Sequence, residues 1–371
     1  LLSMVWHSLF GSAKQVLYGE SMTDDLNERS RQILHAIIED YIATAEPVGS
    51  RAITRRHKVN LSPASVRNVM SDLEEMGFLS SPHTSAGRVP TDRAYRLYVN
   101  TLLRVGRVSD DYEEQLRERL PLQGGDASRI LRETSRMLSS LSRYAGIVLA
   151  PRFTENVFRH LEFVKLGGRR LLAILVTEHG IVHNKLMEAE EEISGDDLVR
   201  MNNYLNLLLQ GLPMTEVRRR LIEQMQNDRV TYDALLDRAL RLSKQALIET
   251  EADIFIEGQA TFFNQPEFAD TGRMKDLFRA FEEKAQLLRL LDRCLAADGV
   301  QIFIGAEMNL DPGGMSVITS AYRSGSRKLG VLGVIGPTRM GYASVIPIVD
   351  YTARLVSRLL QSGEQHLPAV T

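Results

Sequence analysis

Between residues 27 and 43 the apolar positions return at helical spacing, with Ile33, Leu34, Ile37, Ile38, Tyr41 and Ile42 recurring every three or four residues. Pro47 and Gly49 break that rhythm, and residues 50–57 predict a second short helix capped by Ser50. The stretch LSPASVRNVMSDLEEMGFL, residues 61–79, predicts a third. Ser62 suits its N-cap, Pro63 its first helical position and Gly77 the left-handed residue past its end. Val66, Val69, Met70, Leu73 and Met76 share one arc that must be buried. Opposite them lie Ala64, Arg67, Asn68 and Ser71, with Ser65 at the flank. PHTSAGRVP, residues 82–90, is turn-rich, and Pro82, Gly87 and Pro90 shape its backbone between two short extended pieces. Thr91 then opens another helix, TDRAYRLYVNTLL.

Further along, the helical DDYEEQLRERL runs into PLQGG, residues 121–125, the clearest linker in the chain. SRILRETSRMLSSLS is helical, and AGIVLAP and RRLLAILVTEHGIVHNKLM read as strands, the latter with a turn at His179 and Gly180. Residues 195–251 return to helical periodicity, broken at 211–213. DIFIEGQ reads as a short strand and MKDLFRAFEEKAQLLRLLDRCL as an amphipathic helix. VQIFIGAEM, MSVITSAY and KLGVLGVIG are strands, followed by a last helix near 342–360. Strands, then helices, then strands predict one α+β domain interrupted by a mostly helical insertion.

At 371 residues the chain needs two or three cores, and 44% hydrophobic and 25% charged residues supply globular material for them. Its one cysteine, Cys294, excludes an internal disulfide and a cysteine zinc site, and fits a reducing cytoplasm. Set in LLDRCLAADG, that thiol reads as packing. No apolar run approaches the ~18 residues of a membrane span, and residues 1–21 lack a signal-peptide pattern and are read as an extension outside the fold. The eight histidines are scattered, and HExxH, a P-loop and a cysteine cluster are all missing, which points away from an enzyme and from a metal or other cofactor.

Net charge is −2, so a polyanion could be bound only through a local patch. One exists. From residue 50 to 96, eight basic residues (Arg51, Arg55, Arg56, Lys58, Arg67, Arg88, Arg93, Arg96) stand against four acidic ones (Asp72, Glu74, Glu75, Asp92). A helix enters the major groove by its N-terminal residues, where its dipole is positive. Arg and Asn are shaped to pair with guanine and adenine edges. Three helices followed by a two-strand excursion containing Arg88 describe a winged helix-turn-helix that binds double-stranded DNA.

The stretches YIATAEPVGSRAI, LSPASVRNVMSDLEEMGFLSSPHTSAGRVPTDRAYRLYV, NQPEF (residues 264–268) and GVLGVIGPTRMGYASVIPIVDYTA together resemble the HrcA family of heat-shock repressors, from about residue 22 to the C-terminus. The resemblance implies an α+β multidomain chain. Its expected parts are an N-terminal extension (1–21), a winged helix (22–105), a helix and linker (106–125), a GAF-like domain in two parts (126–194 and 271–362) around an inserted, mostly helical dimerisation domain (195–270), and a tail (363–371). It also implies a homodimer on an inverted-repeat operator of chaperonin and DnaK-type chaperone genes, with the GroEL chaperonin as the partner that keeps it active. By the resemblance and by helix geometry, Arg67 and Asn68 read base edges, with Ser65 and Ser71 as lesser contributors. Ser50 and Arg51 hold phosphates. His83, Thr84, Ser85 and Arg88 form the wing, Arg88 being its minor-groove or backbone contact. One recognition helix reads too few base pairs to find a genomic site, so operator logic also calls for a dimer, with residues 198–209 and 232–247 as candidate interface helices. The competing expectation is a winged-helix repressor controlled by a small ligand in the GAF-like domain.

Overall fold

A computed structural model describes residues 26–57, 59, 61–82, 87–103, 106, 108–119, 127–151, 157–178, 182–227, 234–246, 254–269, 272, 274–275, 279, 281, 284–308 and 314–365. The expected N-terminal extension and the PLQGG linker lie outside them.

The first unit opens with α1 (Glu28–Thr44), whose N-cap Asn27 accepts a hydrogen bond from the Ser30 N–H at 2.8 Å. Ile33, Leu34, Ile37 and Ile38 are fully buried on its inner side, and the chain leaves through Ala45 in the left-handed region. Helices α2 (Ser50–Arg56) and α3 (Pro63–Glu75) follow, then strands β1 (Leu79–Ser80) and β2 (Val89–Pro90), which pair antiparallel as the stem of a wing. Helix α4 (Asp92–Leu97), capped by Thr91, continues as a π-helical turn over Tyr98–Leu102. Helix α5 (Asp110–Arg119) follows, its Leu116 buried against Met137, Tyr351, Leu355 and Leu359.

The second unit is a five-stranded antiparallel sheet in the order β7-β3-β10-β9-β8. Its strands are β3 (Ala145–Leu149), β7 (Ile254–Glu257), β8 (Val300–Ile304), β9 (Met315–Ser324) and β10 (Arg327–Pro337). Alternation along each strand gives the sheet two apolar faces. Val148, Ile318, Leu332 and Val334 face α6 (Ala127–Ser142) and α11 (Tyr342–Gln365), and that core runs unbroken into the winged helix. Ile147, Leu149, Val317, Val331 and Ile335 face α10 (Lys284–Ala296) together with Phe262, Phe268 and Phe281. Helix α11 extends to Gln365, so part of the expected tail is helical.

Cys294 sits in that second core, 2% exposed, and burial pushes its thiol up to about 11. The thiolate is the reactive form. Iodoacetamide at neutral pH should therefore leave Cys294 unmodified in the native protein and alkylate it in denaturant, which intact mass spectrometry would report.

The third unit lies between β3 and β7. Strands β4 (Phe158–Gly167), β5 (Arg170–Thr177) and β6 (Val182–Glu188) form their own antiparallel meander. Their inner residues, among them Leu161, Phe163, Leu171 and Leu175, share a core with α7 (Gly195–Leu209), α8 (Met214–Asn227) and α9 (Ala234–Ala246). Asn202 and Asn206, one turn apart on α7, act as a surrogate strand for the β4 edge. Asn206 accepts from the Leu161 N–H (2.8 Å) and donates to the Leu161 carbonyl (2.9 Å), and Asn202 does the same for Phe163 (3.0 and 3.3 Å). Otherwise free edge groups are thus satisfied.

This pairing corrects the sequence boundaries. The strands at 170–188, assigned to the first part of the GAF-like domain, belong to the inserted unit, and β7, assigned to the insertion, belongs to the five-stranded sheet. Alternation identifies a strand, but only pairing shows which sheet it joins.

Candidate nucleic-acid interface

Helix α3 is built as its local sequence dictates. The Ser62 hydroxyl accepts from the Ser65 N–H at 3.1 Å, Pro63 occupies the first turn, and Gly77 takes φ +77° beyond the end. The Gly77 N–H then reaches the Glu74 carbonyl and the Phe78 N–H the Leu73 carbonyl, both at 2.9 Å. Such an N-cap contributes about 1 kcal/mol. Val66, Val69, Met70 and Leu73 are buried, while Met76 at the C-cap is only partly covered.

On the other side Ala64, Arg67, Asn68 and Ser71 are exposed. Among the described residues neither Arg67 nor Asn68 has a hydrogen-bond or ion-pair partner. Ser65 is half-buried, and its hydroxyl lies 3.0 Å from that of Ser62, so the cap engages it first. The bare surface thus narrows to Arg67, Asn68 and Ser71 on an anchored helix whose positive end is open.

Ser50 and Arg51 begin α2, but Gly49 is the N-cap, with no side-chain cap bond. The expected Ser50 cap is therefore corrected: Ser50 lies already inside the helix, half-buried. Arg51 is exposed, as is Arg55 one turn later. Arg55 was counted in the patch but not singled out as a site residue, although its i,i+4 spacing from Arg51 places it on the same helix face.

The wing is braced from behind. Val48 and Arg88 exchange both backbone hydrogen bonds at 2.9 Å. Gly87 beside them is obligatory, because a Cβ there would stand 2.6 Å from the Val48 backbone. The Arg88 guanidinium donates to Glu74 at 2.7 Å and to the Ser81 hydroxyl at 3.3 Å. Arg88 thus fastens the wing to the end of α3, with its charge facing a carboxylate. Arg88→Ala should therefore weaken binding to all sequences alike by loosening the wing, which competition with unrelated duplex would register. His83, Thr84 and Ser85 lie outside the described residues.

Other members of the basic patch are also engaged within the protein. Arg56 pairs with buried Asp40 at 3.2 Å. Arg93 donates to the Met76 carbonyl at 2.8 Å and lies 4.5 Å from the Phe78 ring centroid. Arg96 is held by Glu307. With Arg88 these are four of the eight cations; Lys58 lies outside the described residues, and Arg51, Arg55 and Arg67 are left facing outward. Sequence distance hid these pairings, since most partners come from other elements.

With this geometry in place, comparison with known proteins is direct. Residues 25–102 match the family described as winged helix-turn-helix transcription repressor, HrcA DNA-binding, and residues 128–346 match the HrcA protein C terminal domain. The chain belongs to the HrcA family. It is 64% identical to the heat-inducible transcription repressor HrcA of Geobacter sulfurreducens over 91% of this chain and 99% of that protein. Its identity to the protein of that name from Syntrophobacter fumaroxidans is 44%, over 91% and 98%. A crystal structure titled only as a hypothetical protein superimposes with a TM-score of 0.61 at 22% identity, covering 91% of this chain and 98% of that one, and shows the fold alone. The first unit of this HrcA chain is thus the family's DNA-binding winged helix, and among its described residues no helix is long and apolar enough to cross a membrane.

Proposed function

We propose that this chain is a homodimeric, heat-inducible repressor that binds an inverted-repeat operator of chaperonin and DnaK-type chaperone genes in the cytoplasm, and that the GroEL chaperonin keeps it in its DNA-binding form. One observation carries the DNA reading: the Arg67 and Asn68 side chains stand exposed, without a partner among the described residues, on the N-terminal half of a helix whose opposite side is locked into the core. Arg67 and Asn68 read base edges, Ser71 allows close approach, and Arg51 with Arg55 holds phosphates. The antiparallel five-stranded sheet with helices on both faces supports a GAF-like second domain. The inserted unit serves as the dimer module. On α7, Leu198, Met201, Leu205 and Leu209 belong to its own core, whereas Val199 (58% exposed) and Leu207 (86%) face outward, as does Leu186 (63%) on β6. Chaperonin control is what the family resemblance implies, and the match to heat-inducible repressors supports it.

A gel shift with an inverted-repeat duplex, run with and without GroEL and ATP, tests both halves. The expected result is a shift that needs both half-sites and grows with chaperonin. A complex that survives scrambling of the repeat removes the sequence-specific reading, and indifference to GroEL removes the chaperonin. Sedimentation at micromolar concentration should give a dimer, and a monomer with intact operator binding would overturn that assignment.

A further inference from the structure

Three of the stretches that carry the family likeness meet at one side chain, Arg339. It lies in GPTRM, just after β10. Its Nε donates to Glu267, and its Nη2 donates to Glu267 Oε2 (3.3 Å) and to Gln265 Oε1 (3.0 Å), both residues of NQPEF. Its Nη1 donates to the Ile42 carbonyl at 3.1 Å, near the end of α1. The side chain is only 12% exposed, so these contacts are held largely out of water.

A second clasp joins α4 to the end of β8. Arg96 Nε donates to Glu307 Oε1 at 2.9 Å, and its Nη2 donates to Glu307 Oε2 and to the Ile302 carbonyl, the latter at 2.7 Å. Glu307 is itself oriented by the Ile304 N–H at 3.0 Å. Asp92 accepts from the Ala306 N–H at 3.0 Å. Gly305 permits that approach: its φ is +53°, and a Cβ there would lie 1.9 Å from the Asp92 carboxylate. Tyr95 of α4 and Tyr342 of α11 pack in the same interface with ring centroids 6.1 Å apart. None of these groups is on the reading side of α3. A winged helix on a loose tether would need none of them.

We propose that Arg339 and Arg96 are positioning residues for operator binding: they mount the winged helix rigidly on the five-stranded sheet and so fix the distance and rotation between the two recognition helices of the dimer. The inference rests on the dimeric reading above. Two added base pairs move one half-site by about 7 Å and turn it by about 70°, which rigidly mounted heads cannot follow and loosely held ones can.

The experiment measures affinity for a single half-site and for full operators selected by the wild-type protein, with zero, one or two added base pairs between half-sites. Full-length wild type, Arg339→Ala and Arg96→Met are compared, with thermal melts of each. The wild type should lose about tenfold or more on the two-base-pair insertion, whereas each variant should keep half-site affinity within about twofold and lose under about threefold on the insertion. Arg96→Lys, retaining a donor for Glu307, should recover part of the spacing preference. If one variant melts below the assay temperature, the other and Glu307→Gln carry the comparison. A wild-type spacing profile in folded variants overturns the clasp while leaving the dimer intact. A wild type that binds every spacing no better than a half-site overturns the dimeric reading, and the clasp with it.

Discussion

Arg67→Ala should lower operator affinity by about 1–3 kcal/mol and relax preference at a single base pair, the signature expected of a lost bidentate contact to a base edge. Arg67 holds no other part of the structure in place. Arg67 is exposed on α3, without a partner among the described residues, and the helix is anchored on either side of it by Val66, Val69 and Met70, which fixes its direction. Its removal leaves no buried group unsatisfied, so the thermal melt should match the wild type. Fluorescence anisotropy against operators substituted at each position would locate the relaxed base pair. Unchanged affinity and an unchanged position profile would strip Arg67 of its role. Loss of affinity on every sequence alike would instead make it a phosphate contact.

Leu73→Ala should have the complementary outcome. Leu73 is fully buried under α3, in the core shared with Ile33, Ile37 and Ile53. Truncating a buried leucine removes transfer free energy and leaves a cavity, at a cost of about 2–5 kcal/mol. That is a large share of the roughly 5–15 kcal/mol that holds a domain folded. Urea unfolding should show an earlier transition, and operator binding should fail at temperatures where the wild type still binds. At low temperature, where the domain remains folded, base preference should be wild-type, because the reading residues are untouched. A full loss of specificity in folded Leu73→Ala would show that core packing itself tunes the reading surface. The two substitutions lie six residues apart on one helix and should separate reading from anchoring.

Helix α3 is legible in the sequence almost completely. Ser62, Pro63 and Gly77 stand where the capping rules put them, and the apolar arc from Val66 to Leu73 is the buried one. One strand was missed. Phe158–Gly167 escapes the strand pattern because its alternation slips at a register shift between Phe158 and His160, which blurs the two-residue period. The Ser50 cap fails because Gly49, which lacks a capping side chain, already has the extended conformation of an N-cap, so the helix begins one residue earlier than a serine cap would place it.

Features written within a few residues can be read from the chain alone: helix caps, periods, turns and the outward set Arg67, Asn68 and Ser71. Folding in three dimensions settles which cations are paired within the protein and which strands share a sheet. Arg88 meets Glu74 across 14 residues, Arg339 meets Glu267 across 72, and Arg96 meets Glu307 across 211. A helical or strand period is imposed by backbone geometry, and every residue carries it locally. An ion pair or a strand pairing is imposed by where the whole chain returns in space, and no short window of residues contains that information.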